Sequence, residues 1–218
     1  MPMPTDSDDA GSSSLTDRVI LELEAMLVRG DIGPGQRIAE APLAARLGLS
    51  RAPVREACRA LVQAGLLVSV RNRGMFVREV NAREIRDLYE IRSLIEGEMA
   101  AKFATQITRA QQTQLMSFVE RMDKVAESEK GAAYYALNVQ FHRYIAEHCD
   151  NRQMLDIYRN AVMRLHIYRL PRLTELRHRL ESNQQHREIA SAIVAGDAQR
   201  ARDAMRHHIL TGRERYAS

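Results

Sequence analysis

Apolar positions recur at helical spacing along most of this chain. Val19, Ile20, Leu23, Met26 and Leu27 lie three and four residues apart, which predicts a helix from about Leu15 to Arg29. Ser14 or Thr16 suits its N-cap and Gly30 its end. Ile32-Gly33-Pro34-Gly35 is a turn cluster. A short helix follows from about Ala41 to Leu47, stopped by Gly48. Ser50 then stands at an N-cap position, with Pro53 in the first turn of a helix running to about Ala64. Val54, Ala57, Cys58, Leu61 and Val62 form its inner face. The pattern then changes. Residues 66–70 and 74–77 are short strand-like runs separated by the polar turn Arg71-Asn72-Arg73, which predicts a β-hairpin, or wing. From Asn81 onward helical periodicity returns, with six helices at about 82–105, 108–128, 131–149, 151–169, 173–195 and 197–215. Their breaks fall at Thr108, Gly131, Asp150-Asn151, Pro171 and Gly196-Asp197. No internal repeat is visible.

Composition narrows the classes of function. The 218 residues are 45% hydrophobic and 28% charged, the mix of a folded domain or two. No apolar run approaches the roughly 18 residues that a membrane span needs, so no membrane partner is expected. The opening MPMPTDSDDAGSSS has neither a basic nor an apolar region of a secretory signal. Cys58 and Cys149 are too few for a disulfide framework or a Cys-rich zinc site, and a cytoplasmic location is expected. Trp is absent and aromatics are 5%, which argues against base stacking on single strands as the main activity.

Charge is placed unevenly. From Pro34 to Arg78 there are eight arginines (Arg37, Arg46, Arg51, Arg55, Arg59, Arg71, Arg73 and Arg78) against Glu40 and Glu56, a local charge of +6 in a chain whose net charge is +4. Residues 1–33 are acidic by contrast. A basic block inside a near-neutral chain reads either as a solvated face or as a polyanion-binding surface. The order short helix, Gly turn and second helix opening Ser50-Arg51-Ala52-Pro53-Val54-Arg55 favours the second, because it is a helix-turn-helix. Arg51 and Arg55 are one turn apart on one face, and an Arg fork pairs with both acceptors of a guanine edge. Ser50 can cap the helix or contact phosphate. Arg71 and Arg73 on the wing tip can reach the DNA backbone or minor groove, and Gly74 allows close approach. The fold class expected is mostly α: an N-terminal winged helix-turn-helix plus a C-terminal antiparallel all-helical bundle. Residues 1–14 read as a disordered tail, 15–80 as the DNA-binding domain and 81–218 as the helical domain.

Residues 15–78 resemble the winged helix-turn-helix of GntR-family transcription regulators. The matching stretches are Ile32-x-Pro34-Gly35-x-x-Ile38-x-Glu40, Leu43-Ala44-x-x-Leu47-Gly48, Ser50-Arg51-x-Pro53-Val54-Arg55-Glu56-Ala57, Leu61-x-x-x-Gly65-Leu66 and Arg73-Gly74-x-Phe76-Val77. The resemblance implies that Ser50, Arg51 and Arg55 read DNA and that Gly74 marks the wing contact. Where the family commonly has a basic residue after the glutamate at position 40, this chain has Ala41-Pro42.

All seven histidines fall in the C-terminal helices. Asn138 and His142 share a helical face, His186 lies on the apolar stripe of its helix, and His208 lies on the stripe Ala201, Met205, His208, Gly212. Polar groups on core-facing stripes need partners. Either they satisfy one another or a pocket ligand, or a divalent metal in the bundle interior satisfies them together.

Residues 84–215 are similar to the FCD effector domain of the FadR-like subfamily. The marks are Arg92-x-x-Ile95-Glu96, Phe141-His142, Asn151, His186-x-x-Ile189-x-x-Ala192-Ile193-x-x-Gly196-Asp197, Ala201 and His208-Ile209. The resemblance implies a metal held by one Asp and three His beside a small carboxylate effector. His142, His186 and His208 match the three His, but Asn138 stands at the Asp position. An amide is a weaker oxygen ligand, and its neutrality leaves the site one unit more positive. Imidazole ligands suit zinc or nickel. Arg92 either holds the effector carboxylate or pairs with Glu96 one turn on. The function expected is a ligand-responsive repressor or activator, repressor preferred, binding a palindromic DNA operator as a homodimer and no enzyme. A helical-bundle metalloenzyme and a constitutive DNA binder are the alternatives. The first lacks a second His in His186-Arg187-Glu188 and leaves the basic winged helix idle, and the second leaves the core-facing histidines unexplained.

Overall fold

The structure is a computed structural model that describes residues 14–127, 131–169 and 175–214. The expected tail, apart from Ser14, and the break at Pro171 lie outside the described residues. The chain divides into two compact units, Met1–Arg78 and Glu79–Ser218.

In the first unit α1 (Leu15–Arg29) opens on a capping box. The Ser14 side chain accepts from the Asp17 amide, and the Asp17 side chain accepts from the Ser14 amide. Gly30, at φ +79°, ends the helix in the left-handed conformation. Val19, Leu23 and Leu27 bury fully, whereas Ile20 and Met26 are half-buried. The helices α2 (Glu40–Leu47) and α3 (Arg51–Gln63) are separated by Gly48, again left-handed at φ +65°. Val54, Ala57, Cys58 and Leu61 line the buried face of α3; Val62 is only half-buried. Pro42 falls in the first turn of α2, where the amide it lacks would have no helical partner, so the Ala41-Pro42 departure costs the helix no hydrogen bond.

The wing has three strands rather than two. β1 (Arg37–Ile38) pairs antiparallel with β3 (Gly74–Val77), which pairs with β2 (Leu67–Val70) in the order β1-β3-β2. Ile38 lies opposite Met75 and Leu67 opposite Val77, so Ile38, Leu67 and Val77 turn into the core beneath the helices.

Among its described residues the second unit is a bundle of six helices: α4 (Ala82–Ala104), α5 (Arg109–Ala126), α6 (Gly131–Glu147), α7 (Arg152–Arg169), α8 (Leu176–Val194) and α9 (Ala198–Glu214). Asn81 caps α4, and Thr108 with Gln111 forms a capping box on α5. α4 lies along α9 at unusually close range. A Cβ at Gly97 would stand 2.7 Å from the Arg206 Cγ, so the glycine is what lets the two helices meet. Met99, Phe103, Leu115, Met122, Phe141, Leu165 and Ile193 fill the core. Into that core α4, α6, α8 and α9 also turn Arg92, Glu96, Asn138, His142, Gln185, His186 and His208.

Candidate DNA interface and buried histidine site

In the first unit the structure keeps the expected readers at the surface. Ser50, Arg51, Arg55, Arg71, Arg73 and Gly74 are all exposed. Ser50 has the extended backbone of an N-cap but its side chain makes no capping bond. Its hydroxyl is therefore not committed to the helix. Arg51 and Arg55 rise from the first two turns of α3, where a recognition helix meets base edges. The Arg55 Nε is 3.4 Å from the Glu40 carboxylate of α2, a long ion pair between an exposed arginine and a half-buried glutamate. Arg71 and Arg73 flank Asn72, whose φ of +60° makes the tight tip. The Arg73 guanidinium stands 5.5 Å from the centre of the Phe76 ring. Gly74 has a reason to be glycine besides DNA approach: its φ is +103°, and a Cβ there would lie 3.3 Å from the Arg37 Nε. Arg37 on β1, not singled out from the sequence, thereby joins the wing.

In the second unit the three expected histidines meet. The Nε2 atoms of His142 and His208 are 3.2 Å apart, and those of His142 and His186 are 3.3 Å apart. All three residues are at most 5% exposed. Their other ring nitrogens meet polar partners. The His142 Nδ1 lies 2.8 Å from the Glu96 Oε2, and the His208 Nδ1 lies 2.8 Å from the Gln185 Oε1. The Glu96 carboxylate accepts, so the His142 Nδ1 donates to it, and with the proton on Nδ1 the Nε2 of a neutral ring is the nitrogen that can ligate a metal. The His186 Nδ1 is 3.5 Å from the Tyr134 hydroxyl.

The set fits a divalent metal. Metal–nitrogen bonds of about 2.0–2.1 Å in tetrahedral geometry place ligand nitrogens about 3.3 Å apart. Glu96 and Gln185 are the outer partners that ligating histidines require, fixing tautomer and ring direction. Neither was recognised in that role from sequence, and nor was Tyr134. The Phe141 ring packs 4.8 Å from the His186 ring and closes one side.

Arg92 and Asn138 border this cluster. The Arg92 Nε donates to the Glu96 Oε1 at 2.6 Å, so both expectations for Arg92 remain compatible: it pairs with Glu96, yet its Nη1 and Nη2 are buried with no hydrogen-bond partner. Burial pushes the Glu96 carboxyl up, but Arg92 and His142 outweigh it and hold the carboxyl down at about 2. Asn138, one turn before His142, is 1% exposed and leaves both Oδ1 and Nδ2 without partners. Buried orphans of this kind cost about 1–3 kcal/mol each unless something satisfies them. Glu96 meets the His142 ring at Nδ1, the nitrogen away from the Nε2 cluster, and Glu188 is exposed.

An exposed basic reading helix and wing, followed by a helical unit with a polar interior, define a DNA-binding transcription regulator. Comparison with known proteins makes this specific. Residues 15–77 match the bacterial regulatory proteins of the gntR family, and residues 87–211 match the FCD domain. The chain belongs to the GntR family, and its second unit is an FCD domain. It is 29% identical over 199 residues to the probable D-xylose utilization operon transcriptional repressor of Paenarthrobacter nicotinovorans, spanning 91% of this chain and 85% of that one. It is 31% identical to the Nta operon transcriptional regulator of Aminobacter aminovorans, over 78% of this chain and 79% of that one. Among solved structures, E. coli McbR/YncC shares the fold with a TM-score of 0.83 at 22% identity, covering 92% of this chain and 95% of that one. The family and these relatives are transcription regulators, not a class of enzyme. No helix among the described residues is long and apolar enough to cross a membrane.

Proposed function

We propose that this chain is a cytoplasmic repressor that binds a palindromic operator as a homodimer and changes its DNA affinity when a small carboxylate binds beside a metal in the FCD domain. One observation carries the reading: three Nε2 atoms converge in a buried interior beside the unpartnered Nη groups of Arg92 and both unpartnered atoms of Asn138. A constitutive DNA binder has no use for such a site. His142, His186 and His208 would hold zinc or nickel, with the Asn138 Oδ1 as a weak fourth donor, and the bound metal would supply a Lewis-acidic position for a carboxylate oxygen. Arg92 would clasp the carboxylate through its Nη groups. Ser50, Arg51 and Arg55 would meet bases and phosphates, while Arg71, Arg73 and Gly74 would bring the wing to the backbone.

Support for a dimer comes from α4 and α7, which pack together yet leave Ile91, Leu94 and Ile157 between 44% and 50% exposed. A second copy of this face would cover them. The test selects binding sites from a random duplex library and titrates the selected duplex with zinc or nickel and small carboxylates. An inverted repeat bound by a dimer, and released only with metal and carboxylate together, is expected. A monomer holding one half-site at full affinity contradicts the dimer, and a duplex affinity unmoved by every metal–carboxylate pair contradicts the effector role.

A further inference from the structure

The wing carries a cation that neither α3 nor the hairpin tip supplies. Arg37 of β1 stands opposite Phe76 of β3, and Val68 of β2 stands opposite Phe76 on its other side. Side chains alternate along a strand, and Ile38, Leu67 and Val77 take the inner face. Arg37, Phe76 and Val68 therefore share the outer face, and Gly74, two residues before Phe76, belongs to it as well. Arg37, Val68 and Gly74 are exposed, and Phe76 is half-buried.

Gly74 shows where the Arg37 side chain runs. Apart from its chain neighbours, the atoms nearest a Cβ at Gly74 would all be those of the Arg37 guanidinium: Nε at 3.3 Å, Nη2 at 3.5 Å and Cζ at 3.8 Å. The missing side chain is thus a seat for the guanidinium. Gly74 is the end of β3 next to the tip, so the seat draws Arg37 away from its own partner Phe76 and toward Arg71-Asn72-Arg73. The Arg73 guanidinium rests against the Phe76 ring, a side chain of the same face.

Nothing within the protein uses this charge. Among the described residues the Arg37 side chain makes no hydrogen bond or ion pair, and the acid next to it in sequence, Glu40, is held by Arg55. A guanidinium offers five donors in a planar fork that matches two oxygens of a phosphate. The helix that follows offers no substitute. The first turn of α2 is Glu40, Ala41, Pro42 and Leu43, and its one arginine, Arg46, pairs with Glu22.

We propose that Arg37 is a DNA phosphate anchor of the wing, seated on Gly74 so that its charge reaches the backbone beside the tip. The proposal rests on the DNA contact of the wing given above and adds to it a residue from outside the hairpin. A phosphate contact carries no sequence information and releases about one counterion.

The experiment measures the affinity of the full chain for the selected duplex and for a random duplex across a range of salt, in wild type, Arg37→Gln and Arg37→Lys. Arg37→Gln keeps much of the stem and removes the charge. It is expected to weaken both duplexes by the same factor, about fivefold or more at 0.1 M salt, and to lower the slope of log K against log salt by about one. Arg37→Lys keeps a cation and is expected to hold the wild-type slope on both. A slope unchanged in Arg37→Gln overturns the anchor, and so does a slope lowered as much in Arg37→Lys, which would make Arg37 a packing residue. A loss confined to the selected duplex makes it a reader of bases and overturns the phosphate contact. A wild type that binds neither duplex overturns DNA binding by this unit, and the anchor with it.

Discussion

The two units of this protein handle polar chemistry in opposite ways. The winged helix keeps Arg51, Arg55, Arg71 and Arg73 in solvent, where water satisfies them until DNA arrives. The helical unit buries Arg92, Glu96, Asn138 and three histidines, where only the protein or a ligand can satisfy them. Exposed charge is inexpensive and adaptable, whereas buried charge is costly unless it is paired. Under the proposed function, the contrast separates a surface that reads a polymer from an interior that senses a small molecule.

The sharpest way to break the comparison is to cut the relay. Glu96→Gln leaves the Arg92 guanidinium buried beside a neutral amide, and a broken buried pair costs about 3–5 kcal/mol. Denaturant melts should show the helical unit destabilised and the winged helix untouched. A loss under 1 kcal/mol would mean that Glu96 is not the anchor of the interior.

Metal loading should also divide the units. Zinc at a hundredfold excess over its Kd should stabilise the helical unit by about 3 kcal/mol and a chelator should reverse it, as differential scanning calorimetry would show. The winged-helix transition should not move.

On the DNA side, Arg51→Ala or Arg55→Ala should cost about 1–3 kcal/mol on the selected operator and relax discrimination at the base each reads. Arg71→Ala should weaken operator and random duplex alike and reduce the salt slope by about one unit. Equal losses on both duplexes for all three variants would erase the distinction between reading and anchoring.

The smallest expected effect is a pH signature. Glu96 titrates at about 2 in the folded chain against an ordinary 4.5, so its stabilisation is complete above pH 4.5 and is lost as pH falls from there toward 2. Burial pushes the Cys58 thiol up from 9.0 to about 11, so the folded winged helix keeps a proton that the unfolded chain releases. Its stability should fall as pH rises from 9 to 11. Melts of the two units should therefore weaken at opposite ends of the pH scale, Glu96→Gln flattening the acid limb and Cys58→Ala the alkaline one.

Much of this was legible in the chain. Long periodic helices reveal themselves, and α4 to α9 fall within a few residues of their expected bounds because caps such as Asn81 and Thr108 mark them. The strand Arg37–Ile38 was not expected, since two residues are too short to show alternation. His142, His186 and His208 stood out as polar residues on apolar stripes. The partners that orient them did not. Glu96 reaches His142 across 46 positions and Gln185 reaches His208 across 23, contacts that only packing creates. One signal was present for Gln185: it lies four residues before the buried Ile189, a polar side chain at an inward position. Glu96 was visible only as the helical neighbour of Arg92, which is half of its role.

Zinc titration of the full chain and of His186→Ala, with metal content read by mass spectrometry and duplex binding measured on the same samples, tests the division of labour most directly. One metal per chain is expected in the wild type, with uptake weakened a hundredfold or more in His186→Ala and duplex affinity without effector the same in both. A wild type that takes up no metal, or a His186→Ala variant that holds it as tightly, would contradict the account.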